Sequence, residues 1–202
     1  MLSSLPFSAT TTTWHNPPAD APAASFPLRY HTPSPTDLWY TPTEHRDSAP
    51  TLLLNDTIAP TTPFTLTTHF RAPYKTLYDQ AGLAIYQSPT VWLKAGVEFF
   101  DNELKVSTVV TNGFSDWSVQ PYTSFLAPGE QPKEGFPLWV RAVRKQGKGG
   151  EVVVEASVDG QRWKLIRHCF GWDKEVRVGI MSAAPTKSEG FEVTFEEVRV
   201  EV

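Results

Sequence analysis

Residues 91–111 read Val91-Trp92-Leu93-Lys94-Ala95-Gly96-Val97-Glu98-Phe99-Phe100, then Asp101-Asn102, then Glu103-Leu104-Lys105-Val106-Ser107-Thr108-Val109-Val110-Thr111. Two alternating runs flank a two-residue polar turn, which is the pattern of a β-hairpin. A type I′ turn at Asp101-Asn102 would set the register of the whole pair. The predicted pairs are Phe100 with Glu103, Glu98 with Lys105, Gly96 with Ser107, Lys94 with Val109 and Trp92 with Thr111.

One face of this hairpin is almost entirely apolar, and we predict that it belongs to the core. Because side chains alternate between the two faces of a strand, the register assigns every member of that face. The predicted core face consists of Val91, Leu93, Ala95, Val97, Phe99, Leu104, Val106, Thr108 and Val110.

The opposite face mixes an aromatic ring, a glycine and charges, and it admits two interpretations. Its members are Trp92, Lys94, Gly96, Glu98, Lys105, Ser107 and Thr111. The mixture suits a sugar, which needs a flat apolar surface for its C–H face and charged groups for its hydroxyls. The alternative is a solvated sheet with a cross-strand Glu98–Lys105 pair, worth no more than ~1 kcal/mol.

Length and composition favour one compact β domain. A chain of 202 residues suits a single all-β sandwich, and we expect residues 1–202 to form one domain. Net charge is −4, and no Lys/Arg cluster is interleaved with aromatics, so a nucleic-acid partner is not expected. The single cysteine, Cys169, excludes an internal disulfide.

The N-terminus lacks the features of a secretory signal, and no apolar run reaches the ~18 residues that span a membrane. A soluble, cytoplasmic protein without a membrane partner is therefore expected. Residues 1–62 are rich in Pro, Thr and Ser. Their recurring aromatics predict an ordered but irregular stretch packed on the domain, with short extended pieces at Leu28–Thr32, Asp37–Thr41 and Thr51–Leu54.

Regular strand signals begin at Phe64 and continue to the end of the chain. About a dozen short strands with turn punctuation, and no convincing 3.6-residue period, predict an all-β sandwich. A Gly/Lys loop at Lys145–Gly150 is expected to join two strands. In the last strand the apolar alternation changes phase at Glu196-Glu197, as a β-bulge would require.

Three motifs carry a resemblance to a known family. They are Asp79-Gln80-Ala81-Gly82-Leu83, Trp92-Leu93-Lys94-Ala95-Gly96-Val97-Glu98, and Ser107-Thr108-Val109-Val110-Thr111 followed by Ser115-Asp116-Trp117-Ser118. Together they resemble the signature of an uncharacterised β-sandwich family whose fungal members bear names of the regulation-of-enolase type. That family is similar to the concanavalin A-like domain at the C-terminus of family 43 β-xylosidases. Weaker similarity extends to Trp14-His15-Asn16-Pro17 and Thr36-Asp37-Leu38-Trp39.

The resemblance implies a concanavalin A-like jelly roll of two antiparallel sheets, one of them bent into a concave groove. In this architecture the groove is where lectins and glucanases bind saccharides, so the implied ligand is a small carbohydrate or sugar derivative. The family's own chemistry is not established, and no catalytic residue is carried over from it.

The residues themselves give little support for catalysis. Glycan hydrolysis needs two carboxyl groups at a set separation, yet positions 94, 96 and 100 around Glu98 are Lys, Gly and Phe. A Lys94/Glu98 pair on one face could instead perform acid–base chemistry on a sugar, or serve as a structural ion pair. The five histidines show no metal-ligand spacing, and no glycine motif for a nucleotide is present, so neither metal nor cofactor is predicted.

Four further residues complete the predicted binding site of Trp92, Lys94 and Glu98. Asp116 and Trp117 are placed in a connection beyond the hairpin, as a hydroxyl acceptor and a stacking ring at the groove rim. The alternative for them is an Asx-type turn with Trp117 in the core. Alternation on neighbouring strands adds Tyr86 and Arg141, with Glu98 or an anionic ligand as the expected partner of Arg141.

Three functions remain open at this stage. The first is a module that binds a small carbohydrate in the groove, with a regulatory role in carbohydrate metabolism. The second is an enzyme acting on such a sugar by acid–base chemistry, as an isomerase, lyase or hydrolase. The third is a protein-interaction regulator of a metabolic enzyme such as enolase, which the names within the similar family suggest.

Overall fold

The computed structural model describes residues 3–147 and 150–202. Within these residues the chain forms strands and turns, with one 3₁₀ turn at Tyr122–Phe125 and no α-helix. Two large antiparallel sheets face each other across an apolar core. The predicted all-β sandwich is therefore confirmed.

Sixteen strands are present in the described part of the chain, and most of them belong to the two large sheets. The first sheet contains, in spatial order, β1 (Ser4–Leu5), β16 (Phe191–Glu201), β7 (Phe64–Arg71), β12 (Leu138–Arg144), β13 (Val152–Ser157) and β14 (Lys164–Cys169), with β3 (Leu28–Thr32) also paired to β16. The second contains β11 (Ser115–Pro121), β10 (Glu103–Asn112), β9 (Val91–Phe100), β8 (Gln80–Ser88), β15 (Arg177–Ala183), β6 (Thr51–Leu54) and β2 (Thr12–His15). A separate two-stranded sheet pairs β4 (Leu38–Thr41) with β5 (Glu44–Asp47).

The central hairpin, β9 and β10, has the predicted register. Glu98 pairs with Lys105, Gly96 with Ser107 and Trp92 with Thr111. Asp101 and Asn102 both have φ of 57°, as a type I′ turn requires at its two central positions. The polar turn and the period-two pattern thus fix this pairing together.

The predicted core face of the hairpin lies between the sheets. Leu93, Ala95, Val97 and Val106 are all at least 96% buried and belong to the main core. Partly buried residues of the same face pack around them, namely Val91, Phe99, Leu104 and Val110. Burial of a side chain of this kind contributes about 1.5–3 kcal/mol relative to exposure, so this face holds the second sheet against the first.

Other local predictions have mixed outcomes. The phase change in the last strand is confirmed as a register shift between Phe195 and Glu197 opposite β7. The expected strands at 28–32 and 51–54 form β3 and β6. The predicted 145–150 loop falls partly on residues 148–149, which lie outside the described residues.

Strands β4 and β5 form what we call the cover hairpin, residues 38–47, because it lies over the face of the second sheet that points away from the core. Leu38 packs there in a second apolar cluster with Trp92, Ala84 and Met181. Asp37, just before it, accepts backbone hydrogen bonds at its carbonyl oxygen from Ser48 (2.9 Å) and Ala49 (3.1 Å). The N-terminal stretch therefore covers part of the surface on which a groove was predicted.

Gly96 tests how closely strands β8 and β9 approach each other within the second sheet. A Cβ atom at Gly96 would lie 1.9 Å from the carbonyl oxygen of Ala81 on the adjacent strand. We therefore expect Gly96→Ala to lower the free energy of unfolding by about 1–3 kcal/mol or more through overpacking, measured by urea denaturation. Gly113, at a turn with φ of 80° and open space around its Cα, is the control, for which Gly113→Ala should cost about 1 kcal/mol. Equal costs would show that the strands separate easily.

Candidate functional site

A cavity of about 260 Å³ opens between the cover hairpin and the outward face of the second sheet. Residues from distant parts of the chain line it, and three of them belong to the predicted site. The lining residues are Asp37, Trp39, Glu44, Arg46, Tyr78, Gln80, Lys94, Glu98, Val109, Trp117 and Pro185. The structure thus brings Lys94, Glu98 and Trp117 together, as predicted.

Glu98 is one of two buried carboxyl groups that line this cavity, and Asp37 is the other. The Glu98 strand, β9, is central in the sheet, which leaves Glu98 5% exposed, opposite Gln80 on β8. The indole Nε1 of Trp117 donates to Glu98 Oε2 over 2.9 Å and to Ser107 Oγ over 3.1 Å. Burial raises the pKa of Glu98 above its ordinary value, although nearby Lys94 and the hydrogen bonds from Ser107 and Trp117 act in the opposite direction.

Lys94 is held by a partner that the sequence did not indicate. Its Nζ lies 2.8 Å from Oδ1 of Asp37, and both side chains are nearly buried, at 5% and 11% exposure. Lys94 and Glu98 are four positions apart on β9, so their side chains lie on the same face of the strand, and both line the cavity. The structural ion pair considered for Lys94 therefore exists, but with Asp37 rather than with Glu98.

Two aromatic rings, Tyr78 and Trp117, line one part of the cavity, and Phe100 packs against both of them. Trp117 meets Phe100 edge-on at 4.8 Å between ring centroids, and Tyr78 stacks on Phe100 at 5.7 Å. Trp39 of the cover hairpin lines another part of the cavity. These rings give the cavity extended apolar surfaces beside its buried polar groups.

The cover hairpin also supplies a charged pair at the cavity. Arg46 Nε donates to Glu44 Oε1 over 2.6 Å, and its Nη1 reaches the carbonyl oxygen of Pro185 at 3.4 Å. Arg46 is therefore engaged on both sides of its guanidinium group.

Two predicted residues of the second sheet, Trp92 and Tyr86, hold the cover hairpin in place instead of lining the cavity. Trp92 is fully buried beneath the cover hairpin, against Leu38 and Met181, so the prediction of an open stacking surface there is wrong. Tyr86 donates its hydroxyl to Asp47 Oδ2 over 2.8 Å and so ties β8 to β5. Both outcomes follow from the cover hairpin, which occupies this end of the face.

Two other predicted residues lie elsewhere. Asp116 is not in a connection but in strand β11, on the side opposite to Trp117, where it pairs with Arg167 of the first sheet. Arg141 belongs to the first sheet, with its Nε 2.7 Å from Glu155 and its guanidinium 4.1 Å from the ring centre of Trp163. The predictions that these two residues border the site, and that Arg141 pairs with Glu98, are wrong.

Sequence reasoning missed the contributions of the N-terminal stretch, above all Asp37, Trp39, Glu44 and Arg46. One signal pointed towards a partner: Lys94 lies in a strand with apolar neighbours, and a buried ammonium requires a carboxylate. Nothing in the spacing identified that carboxylate as Asp37. Among the described residues, no group of three or more His, Cys, Asp or Glu side chains is placed to hold a metal ion.

The raised pKa of Glu98 predicts a pH-dependent stability. A folded carboxyl group with a raised pKa binds its proton more tightly than the unfolded one, so ionisation opposes folding. We expect the wild type to lose stability relative to Glu98→Gln as pH rises above the ordinary value of 4.5, with the loss complete once Glu98 ionises in the folded state. Urea denaturation of both proteins across the acid-to-neutral range measures this difference. A difference that does not change with pH would contradict a buried, ionisable Glu98.

Comparison with known proteins places the chain in a family. Residues 14–202 match the family described as "Protein of unknown function (DUF1349)". The chain belongs to the DUF1349 family. This match confirms the resemblance noted in the three sequence motifs, which all fall within the matched range.

A relative and two solved structures show how far the similarity reaches. Regulation of enolase protein 1 from Saccharomyces cerevisiae is 33% identical over 135 residues, which span 66% of this chain and 62% of the yeast protein. A crystal structure of a functionally unknown protein from Saccharomyces cerevisiae superposes with a TM-score of 0.76 at 30% identity, covering 95% of this chain and 96% of that one.

The second structure is the GH43 protein BlXynB from Bacillus licheniformis, with a TM-score of 0.61 at 16% identity. The superposition covers 86% of this chain but only 32% of that protein. At this identity the likeness shows the fold alone, which is the concanavalin A-like sandwich. The described residues of this DUF1349 chain include no helix long and apolar enough to cross a membrane.

Proposed function

We propose that this DUF1349 protein binds a small carbohydrate or sugar derivative in the cavity beneath the cover hairpin. The observation that carries the proposal is the composition of the cavity wall, where aromatic rings stand beside buried polar side chains. Trp117 and Tyr78 offer apolar surface, while Glu98 and Gln80, at 5% and 6% exposure, offer hydrogen-bonding groups. Sugars combine an apolar C–H face with a rim of hydroxyls, and such a wall complements both.

The size of the cavity supports a small ligand. About 260 Å³ lies just below the ~300–1,000 Å³ typical of ligand pockets. The cover hairpin limits the space along the sheet, so a single sugar unit fits the site better than a chain of units. In this respect the cavity differs from an open groove for a polysaccharide.

A regulatory role in carbohydrate metabolism is supported by the name of the yeast relative, Regulation of enolase protein 1. We propose that sugar binding at the cavity accompanies such a role, with a metabolic enzyme as the partner. Sedimentation of the purified protein with an enolase, in the absence and presence of a bound sugar, would test the partnership. If this protein and the enolase sedimented as two separate species, both with and without the sugar, the proposed partnership would be wrong.

A thermal-shift screen tests the binding proposal directly. A ligand that binds only the folded protein stabilises it by about 2.7 kcal/mol at a hundredfold excess over Kd. We expect a monosaccharide to raise the melting temperature of the wild type, and Trp117→Ala to weaken its binding by about tenfold through loss of the ring.

Trp139→Ala is the matched control, because Trp139 is a half-buried tryptophan of the first sheet, stacked on His69 and remote from the cavity. Its variant should respond to the sugar as the wild type does. A sugar response that survives in Trp117→Ala but not in Trp139→Ala would place the ligand outside the cavity.

Acid–base chemistry on the bound sugar is a second candidate, and one observation favours it. Asp37 joins Glu98 in the same cavity, and the two carboxyl groups have different surroundings, one ion-paired to Lys94 and one beside an indole. Such unlike pairs are how enzymes assign a base and an acid. Incubation of a bound sugar in D₂O, followed by NMR, should then show exchange or conversion that Glu98→Gln abolishes. An unchanged sugar spectrum would leave binding as the function.

A further inference from the structure

The cavity contains more acidic than basic side chains. Asp37, Glu44 and Glu98 line it together with Lys94 and Arg46. Each base already has a carboxylate partner, since Lys94 pairs with Asp37 at 2.8 Å and Arg46 with Glu44 at 2.6 Å. Within the described part of the chain, no salt bridge joins Glu98 to a base. Glu98 is thus the surplus carboxyl group of the cavity.

This inventory disfavours an anionic ligand. A phosphate or carboxylate entering the cavity would find both bases engaged and would have to break a buried or half-buried ion pair to reach one. Breaking the Lys94–Asp37 pair leaves a carboxylate only 11% exposed without its cation, which is costly. Breaking the Arg46–Glu44 pair leaves a carboxylate, 42% exposed, beside the incoming anion, and the two like charges repel each other. Sugar phosphates and sugar acids are therefore poor matches for this site.

The same inventory favours a cation. A protonated amine could pair with Glu98, whose carboxyl group has two neutral hydrogen-bond partners, Trp117 and Ser107, but no salt-bridge partner among the described residues. Aromatic rings attract cations through their negative faces, and Trp39, Tyr78 and Trp117 all line the cavity. A surplus carboxyl group among aromatic rings is a suitable environment for an ammonium group.

We propose that the ligand is an amino sugar, or a sugar derivative with an equivalent basic nitrogen, whose ammonium group pairs with Glu98. This inference rests on the proposed function and specifies its ligand class. In the empty site, burial raises the pKa of the Glu98 carboxyl group and so favours its protonated form. When the ammonium form binds, Glu98 releases that proton to the solvent, and the ligand's positive charge takes its place.

Charge-matched sugars test the inference on the full chain. Glucose, galactose and mannose would be compared with their 2-amino-2-deoxy derivatives, with the N-acetyl forms that remove the charge, and with glucuronate and galacturonate. By calorimetric titration we expect one amino sugar to bind about tenfold or more tightly than its neutral parent. Its affinity should rise as pH increases above 4.5, the ordinary pKa of a glutamate, for as long as the amine stays protonated, because the carboxyl proton is released more readily as pH rises.

Variants separate the roles of the site. Glu98→Gln should weaken binding of the amino sugar about tenfold more than it weakens binding of the neutral parent, and so remove the preference for the amine. Glu103→Gln is the matched control, since Glu103 is an exposed glutamate of the same central hairpin and lies outside this cavity. A melt of each variant verifies that it is folded. The control should retain both the preference and its pH dependence.

The outcomes distinguish this inference from the proposal on which it rests. Tighter binding of the neutral sugars or of the uronates would overturn the amino-sugar assignment and leave carbohydrate binding intact. A preference for the amine that survives in Glu98→Gln would also overturn it. If no sugar of any charge bound, both proposals would fail together.

Discussion

Trp92→Ala is expected to lower the free energy of unfolding by about 3–5 kcal/mol, one of the largest losses available in this chain. The side chain is 0% exposed and fills the space between the second sheet and the cover hairpin, against Leu38, Ala84 and Met181. Its removal leaves a cavity that a sheet on one side and a short hairpin on the other cannot easily close. Urea denaturation with an unchanged m-value would measure the loss as one of stability.

Phe170→Ala provides the comparison for Trp92→Ala. Phe170 is 65% exposed, so its truncation should change stability by no more than about 0.5 kcal/mol. The opposite pattern, a stable Trp92→Ala that loses sugar binding, would restore Trp92 as an open stacking surface. That pattern is what the sequence alone predicted, because hairpin alternation places Trp92 on the face away from the main core.

The fold was predictable to the extent that its determinants are local. Period-two alternation and the Asp101-Asn102 turn fix the central hairpin, and the doubled glutamates at 196–197 mark the bulge. Each of these signals acts over neighbouring residues or across one tight turn. The family resemblance supplied the remaining arrangement, namely two sheets in a concanavalin A-like sandwich.

The site was predictable only in part, because its other half comes from a distant stretch. Alternation placed Lys94 and Glu98 together on one face, and both line the cavity. Pairing of Asp37 with Lys94 joins residues 57 positions apart, and no periodicity encodes such a contact. Arg141 shows the converse error, since a suitable position in a strand does not reveal to which sheet the strand belongs.

The cover hairpin explains both why the prediction for Trp92 is wrong and why Lys94 and Glu98 line an enclosed cavity. It buries Trp92 at one end of the face and supplies Trp39 and Arg46 to the cavity at the other. A Pro/Thr-rich stretch that appears irregular in sequence thus converts an open sheet surface into a bounded cavity. The same stretch limits the proposed ligand to a small one.

Breaking the Asp37–Lys94 pair from one side should also destabilise the protein by about 3–5 kcal/mol. Lys94→Met leaves the Asp37 carboxylate 11% exposed without its cation, and Asp37→Asn leaves the Lys94 ammonium 5% exposed without its anion. In both cases a charge remains in surroundings that solvate it poorly. The double variant, Asp37→Asn with Lys94→Met, should recover part of the loss because no unpaired charge remains. Urea denaturation of all four proteins gives the coupling energy between the two residues.

Arg29 and Glu192 form the matched exposed pair, with side chains 66% and 49% exposed. Arg29→Met should cost no more than ~1 kcal/mol, because water solvates the remaining glutamate. If Lys94→Met cost as little, the Asp37 carboxylate would have to reach solvent in the variant, and the cover hairpin would have to open to allow it. A large loss for each single variant, with partial recovery in the double variant, would instead show that this pair holds the cover hairpin closed over the cavity.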